Sequence, residues 1–382
     1  MQANYCVIQM RTEIMSNRSL SAPKLSPGWA HSLPEDVQTP CFTIYEQGIV
    51  DNLHATAQAC GGISRLMPHV KTHRASWIVE LLLKEGVRAF KASTVAETAM
   101  VLAAGALYVV WAYPSANRAN IRALINVAGN YPNASIGALV DSSEGLEAWR
   151  SELEASKPGT SNLKLIVDLD PGMGRTGAPL SEVALDLARD IDALGRFGGF
   201  HIYDGHIQGP DGATRRERLG SVVEQATDLM ERAAGAGLCS DLIAGGSYSF
   251  NVWPASLADY VGPGSWTYSS DQHDAELQDF GWQPSAYVLA TVIATKGQTA
   301  TLDAGAKAIS PDKPLSARFR WNGKILMMSE EHVVVENEDL AVGDRVLLMP
   351  RHACTTAYLF EKALVFGRDG EWTYREQMGN RR

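Results

Sequence analysis

The sequence predicts an α/β protein in which a (β/α)8 barrel over residues 36–278 precedes a β-domain over residues 279–382. Three observations carry this reading. From Arg65 to about Ser265, short β-branched runs alternate with amphipathic stretches. Eight such units fit into roughly 200 residues, which suits a closed barrel. After Asp279 the rhythm changes to short strands separated by turn residues, with no helix of length. A chain of 382 residues also exceeds the size at which one hydrophobic core stops growing.

The strand-like segments are, in order, RLMPHVKT, VRAFKAS, LYVVWAYP, SIGALVDS, LKLIVDLD, FGGFHIYDGH, SDLIAGGS and LADYVGPG. Helical patterns lie between them, such as ASWIVELLLKEG, VAETAMVLAAG and SEVALDLARDIDALG, and several end in the Gly that favours helix termination. Strands alternating with helices imply a parallel sheet with right-handed crossovers. A doubly wound open sheet is the alternative, because closure leaves no local signature. Residues 1–35 read as a loose extension with a second candidate start at Met15, and the CFTIYE strand near 41–46 is expected to pair into the β-domain. Within that domain AYVLATVIAT, TATLDAG, ARFRWNGKILMMS, EHVVVE and DRVLLMP are strand-like, and Asn322-Gly323 predicts a tight hairpin.

Composition narrows the partners. Hydrophobic residues make up 45% and charged residues 20% of the chain, and the net charge is −9. That balance argues against nucleic acid, whose phosphates need a basic surface. No apolar run reaches the roughly 20 residues that span a bilayer, and the N-terminus lacks a signal-type apolar core. Five cysteines (Cys6, Cys41, Cys60, Cys239 and Cys354) form no close pair. An odd, dispersed set is a poor disulfide framework and points to a reducing cytoplasm.

Catalytic groups of a barrel sit where strands end and βα loops begin. His69, Lys71, Thr72 and His73 follow the first strand, and Lys91 and Ser93 the second. Asp168, Asp170 and Arg175 surround the fifth; Tyr203, Asp204 and His206 follow the sixth. Gly245-Gly246-Ser247 and the Gly262–Ser265 loop follow the last two. A lysine at a strand tip ordinarily reads as a snorkelling surface charge. Glycine-rich loops after the last two strands, where barrels bind phosphate through backbone N–H groups, favour a functional reading. Further on, His352-x-Cys354 has an i, i+2 spacing that puts both side chains on one side of an extended segment, where imidazole and thiolate can share a metal. Taken alone, the pair reads by default as a buried structural cysteine beside a stray histidine.

The ordered set PHVKTHR (Pro68–Arg74), VDLDPGMGRTG (Val167–Gly177), YDGH (Tyr203–His206), AGGS (Ala244–Ser247) and GPGSW (Gly262–Trp266) resembles the fold-type III pyridoxal 5'-phosphate (PLP) enzymes of the alanine racemase superfamily. The likeness runs from about Thr39 to the C-terminus. Together with LDAGAKAIS (Leu302–Ser310), SEEH (Ser329–His332) and PRHACTT (Pro350–Thr356), it is most similar to the D-threonine aldolase and D-serine dehydratase branch.

The resemblance implies a PLP-binding barrel with Lys71 as the Schiff-base lysine. Arg175 would stand near the cofactor's 3-oxygen, with an ion pair to Asp168 or Asp170 as its plainer alternative. Tyr203 would pack on or contact the ring. Gly246, Ser247, Gly264 and Ser265 would cradle the phosphate, with His69, Gly245 and Trp266 among the cofactor-binding positions. His352 and Cys354 would join Lys71 as catalytic residues by holding a divalent metal. A soft thiolate favours Zn²⁺ over Mn²⁺ or Mg²⁺. His206 or His332 would serve as a base or support. One departure stands out: the arginine that racemases carry just before the last Pro-Gly is here Gly262, and their catalytic tyrosine has no clear match. The implied activity is a lyase acting on a D-amino acid with a β-hydroxyl, dehydratase-like or aldolase-like, as a homodimer. A racemase, a non-catalytic PLP carrier and a barrel for another phosphorylated ligand are the competing readings.

Overall fold

The structure, a computed structural model, describes residues 27–156, 160–337 and 339–382. Most of the expected extension, with Cys6 and Met15, lies outside the described residues; its end forms a short 3-10 turn over Gly28–Ser32. The chain forms two compact units. The smaller takes residues up to Cys41 and Tyr287–Arg351, and the larger takes Phe42–Ala286 and His352–Arg382.

In the larger unit, β1 (Cys41–Tyr45) leads into α1 (Glu46–Cys60). There follow α2 (Ser76–Lys84), β2 (Ala89–Ala92), α3 (Val95–Ala103), β3 (Tyr108–Trp111), α4 (Arg118–Asn130), β4 (Ser135–Val140) and α5 (Ser143–Ala155). The second half holds β5 (Leu163–Asp170), a short β6 (Ala178–Pro179), α6 (Glu182–Asp192), β7 (Phe197–Ile202), α7 (Gly212–Gly235), β8 (Leu242–Ala244) and β9 (Tyr260–Val261). The strands run parallel in the order β2-β3-β4-β5-β7-β8-β9, with β6 attached to the side of β5. Helix starts follow the sequence: Asn117, Ser142 and Asp211 cap α4, α5 and α7 through side-chain oxygens that accept backbone N–H groups.

The ring closes through the segment Leu66–His69. Leu66 bridges Val261 on one side and His69 bridges Lys91 on the other, both in parallel sense. Met67 N donates to Val261 O at 2.9 Å, and Lys91 N donates to Pro68 O at 2.9 Å. RLMPHVKT is therefore a pair of bridges and not a full strand, because Pro68 has no N–H to give the ladder. Met67, Ala89, Val110, Leu139, Ile166 and Ile243 form one packed layer. Each comes from a different segment around the ring, as the interior of a filled barrel requires.

The end of the chain returns to this unit. α8 (Ala353–Ala357) precedes β15 (Lys362–Phe366) and β16 (Trp372–Glu376). β1 pairs in parallel with β15, Thr43 opposite Leu364, and β15 pairs antiparallel with β16. The expected C-terminal domain over 279–382 thus differs from the compact units, since its last part, His352–Arg382, packs with the barrel.

The smaller unit is antiparallel. β10 (Ala286–Lys296) turns at Gly297-Gln298 into β11 (Thr299–Leu302) and also pairs with β14 (Arg345–Leu348). β12 (Ile325–Met328) and β13 (Val333–Glu336) complete it, β13 lying against β11. The hairpin expected at Asn322-Gly323 does not form. Phe319 makes only an isolated bridge to Pro350, and β12 pairs with the strand that follows it. Trp321 Nε1 donates to Glu336 O at 2.9 Å, drawing the chain before the turn onto β13.

Candidate active site

Side chains alternate along a strand, so Lys91 points the same way as Ala89, and Asp168 the same way as Ile166. Ala89 and Ile166 belong to the interior layer. Lys91 and Asp168 therefore form the next layer inside the ring, towards the carboxyl ends of the strands. His201 of β7 lies in register with Asp168, and the three side chains join. His201 Nδ1 is 2.7 Å from Asp168 Oδ1, and Lys91 Nζ is 2.9 Å from His201 Nε2. Thr176 Oγ1 donates to Asp168 Oδ2 at 2.9 Å. Burial pushes the Lys91 amine down to about 7, with the charge of Lys71 adding to the effect.

Above this floor stand the accessible groups. Lys71 Nζ lies 5.7 Å from the centre of the Tyr203 ring, and the Arg175 guanidinium lies 4.6 Å from it. Tyr203 is half-buried, two residues beyond His201 on the same side. Lys71 is solvent-accessible. The protein packed around it still lowers its pKa through desolvation, and Arg175 adds to this against the opposing pull of Cys354 and Glu97. The alternative of an Arg175 ion pair with Asp168 or Asp170 is not what forms. Asp168 is engaged by His201 and Thr176, and Asp170 accepts Gly172 N and Gly174 N at 3.0 and 3.1 Å, shaping the loop that presents Arg175.

The lysine loop is pinned from below. His69 caps the turn Val70–Thr72 by accepting Lys71 N, and its own pKa is driven well below the usual value, first by burial and then by the charges of Lys71 and Lys91. Asp204 is a support and not a reacting group: its oxygens accept Ser249 Oγ at 2.6 Å and Trp253 Nε1 at 2.8 Å. His206 is exposed on the turn beyond it, and His332 belongs to the smaller unit.

The two glycine-rich loops meet at one hydroxyl. Gly264 N and Ser265 N donate to Ser247 Oγ at 3.3 and 3.1 Å. A Cβ on Gly264 would stand 2.8 Å from His69 O, so only glycine lets this loop approach the lysine loop. Gly245 and Gly246 pack beneath, a Cβ on Gly246 meeting the Tyr203 ring at 2.9 Å. Trp266 is fully buried with its Nε1 donating to Pro263 O, so it supports the loop from behind.

His352 and Cys354 do not lie on an extended segment as expected. His352 is the extended residue that precedes α8, and Cys354 is the second residue of that helix. The pair nevertheless meets: burial raises the Cys354 thiol, but a hydrogen bond and the charge of His352, with Thr72 and Lys71, outweigh it and hold the thiol below its ordinary value. Cys354 Sγ is 3.6 Å from Thr72 Oγ1, one residue from Lys71. Among the described residues no group of three or more His, Cys, Asp or Glu gathers, so the pair stands as two donors. Among the described residues Cys41, Cys60, Cys239 and Cys354 form no disulfide.

The alanine racemase N-terminal domain family model matches residues 44–272. The chain belongs to this family, among the fold-type III PLP enzymes. A model described as "Putative serine dehydratase domain" matches residues 285–366 of this alanine racemase-like chain. It is 30% identical over 219 residues to a 3-hydroxy-D-aspartate aldolase of Paracoccus denitrificans, the match covering 53% of this chain and 56% of that one. The chain thus spans about half the length of the curated relatives it matches. In fold it resembles a D-threonine aldolase from Filomicrobium marinum, with a TM-score of 0.78 at 21% identity, covering 91% and 97% of the two chains. The D-threo-3-hydroxyaspartate dehydratase from Delftia sp. HT23 superposes with a TM-score of 0.74 at 20% identity, covering 90% and 98%. Among the described residues no helix is long and apolar enough to cross a membrane.

Proposed function

We propose that the protein is a PLP- and divalent-metal-dependent lyase acting on a D-amino acid with a β-hydroxyl. The observation that carries this reading is the placing of Lys71 between the Tyr203–Arg175 pair and the His352–Cys354 pair. The residues fit the cofactor. An accessible lysine with lowered pKa can give the neutral amine that imine formation needs. Tyr203 offers a flat apolar face, Arg175 a positive charge for a phenolate oxygen, and Ser247, Gly264 and Ser265 a set of donors for a phosphate. His352 and Cys354 fit a metal of zinc type, being one imidazole and one thiol already held below its ordinary pKa. A cysteine-to-alanine variant of a D-threo-3-hydroxyaspartate dehydratase of similar fold has a metal-free form, which lends the same pair support here.

When bound, PLP supplies an electron sink for charge left at the substrate's Cα, and the metal supplies a Lewis acid for its β-hydroxyl. The chain's own residues do the rest. Lys71 Nζ, its pKa lowered by its surroundings, is the base that takes the Cα proton. Arg175 and Tyr203 hold the orientation of the reacting plane. His352 and Cys354 define the side from which the β-oxygen is approached. A racemase needs an acid or base on each face, and among the described residues only Lys71 is evident.

The reading is tested by incubating the protein with D- and L-serine and D- and L-threonine, with Zn²⁺ and Mn²⁺ in parallel. A keto acid with ammonia, or glycine with an aldehyde, from D-isomers alone supports it and separates dehydratase from aldolase. Exchange of solvent deuterium into L-alanine overturns it in favour of a racemase, and PLP uptake without turnover favours a carrier. The homodimer and cytoplasmic setting go with this reading, and a monomer in sedimentation velocity would count against the first.

A further inference from the structure

Lys91, His201 and Asp168 take no part in the steps above, yet they are deeply buried ionisable groups of the site. They are 2%, 2% and 4% exposed. An isolated buried charge is costly and survives only with partners that hold it. Here the partners form a directed line. Asp168 accepts the Nδ1 hydrogen of His201, so Nε2 carries the lone pair and accepts one N–H from Lys91. Burial lowers His201, against the pull of Asp168, which keeps the ring neutral and in that tautomer. Lys91 then retains further N–H groups for another acceptor.

The free direction is fixed by a glycine. A Cβ on Gly262 would stand 2.7 Å from Lys91 Nζ and 2.8 Å from its Cδ. A side chain at 262 would have to displace Lys91, so the Lys91 amine fills the space in which that side chain would begin. Gly262 lies two residues before Gly264, in the loop whose N–H groups meet Ser247. A pyridoxal phosphate has three polar groups besides its aldehyde. The phosphate is accounted for by that loop and the phenolate oxygen by Arg175, which leaves the ring nitrogen as the one still requiring a partner.

We propose that Lys91, set by His201 and Asp168 and filling the space beside Gly262, is the hydrogen-bond donor to the ring nitrogen of the bound cofactor. This rests on the PLP reading. Lys91 is on that account a cofactor-binding residue, and His201 and Asp168 are positioning residues that act through it. A donor at this atom keeps the pyridine unprotonated and moderates its electron demand.

The experiment uses holoprotein reconstituted with PLP carrying nitrogen-15 in the ring, reading the nitrogen chemical shift and the PLP dissociation constant. Wild type is expected to show an unprotonated, hydrogen-bonded pyridine. Lys91→Met should move the shift and weaken PLP by roughly tenfold, the scale of one hydrogen bond to a charged group, with circular dichroism confirming the fold. Lys91→Met combined with Gly262→Arg restores a donor from the other strand and should return the shift towards wild type. Lys91→Arg, which keeps the donor, covers the case in which the methionine variant fails to fold. His201→Gln should move the shift part of the way. A protonated ring nitrogen in wild type, or an unchanged shift and affinity in Lys91→Met, overturns the proposal while leaving the PLP reading intact. Wild type that takes up no PLP overturns the cofactor reading itself.

Discussion

Arg74 and Glu97 form a buried ion pair at the root of the lysine loop, Nε to Oε1 at 2.9 Å, with side chains 6% and 2% exposed. Glu97 also accepts Ser93 N at 2.6 Å, and the two terminal nitrogens of Arg74 donate to the carbonyls of Gly379 and Arg381. Arg74 holds a left-handed backbone, φ 49°, which a non-glycine residue adopts only under constraint. One carboxylate thus ties the loop of Lys71 to the start of α3, and one guanidinium ties it to the last residues of the chain.

Removing one partner leaves the other charged and buried. Glu97→Gln is expected to cost about 3 kcal/mol of stability, read as a lower urea midpoint. It should also weaken PLP uptake, because the loop that carries Lys71 is no longer held at both ends. A midpoint equal to wild type would show that the pair is dispensable.

Lys71→Ala is expected to abolish both turnover and the visible absorbance of lysine-bound PLP. The prediction rests on Lys71 being the accessible amine beside Tyr203, while Lys91 is only 2% exposed and committed to His201. A variant that keeps the absorbance would transfer the Schiff-base role to another lysine.

Chelation should remove activity and leave the visible absorbance in place, since His352 and Cys354 flank the lysine and do not hold it. Cys354→Asp should shift metal preference from Zn²⁺ towards Mn²⁺ by ligand hardness. Cys354→Ala should cost the catalytic step several kcal/mol. Full activity in excess EDTA, or in Cys354→Ala, would reduce the cysteine to a small packing residue.

His73 is 2% exposed, and burial pushes its imidazole down to about 3. Its folded pKa is below its unfolded one, so the unfolded chain binds the proton more readily. The contribution to stability is full above pH ~6.5 and is lost progressively as the pH falls towards ~3, up to about 5 kcal/mol. Burial lowers His69 and His201 in the same direction. Urea midpoints measured from pH 7 to pH 4 should fall steeply, and His73→Gln should flatten part of that slope. An unchanged slope would place the acid sensitivity elsewhere.

Much of this arrangement is legible in the chain. Period-2 runs separated by helical patterns mark the barrel strands, and of the polar residues at their ends the structure brings Lys71 and Arg175 together at the Tyr203 ring. His201 was legible but missed, because in FGGFHIYDGH it stands two residues before Tyr203 and so shares its face. The hairpin signal at Asn322-Gly323 misled, since a turn dipeptide acts only when both flanking runs find each other, and Trp321 is drawn to Glu336 instead.

What the sequence alone determined is local: which residues alternate, which loops can bring backbone N–H groups to an anion, and which side chains carry an amine, a thiol or an imidazole. Tertiary structure decided which of them meet. Lys91 and His201 are 110 residues apart and touch only because the ring closes through Leu66–His69. Arg74 reaches Gly379 across 305 residues, and the chain after Arg351 returns to the barrel unit carrying Cys354 to Thr72. Alternation along one strand sets the direction of each side chain, but it contains no term for the distance between strands. That distance comes from closing the sheet and packing its interior, a property of the whole chain.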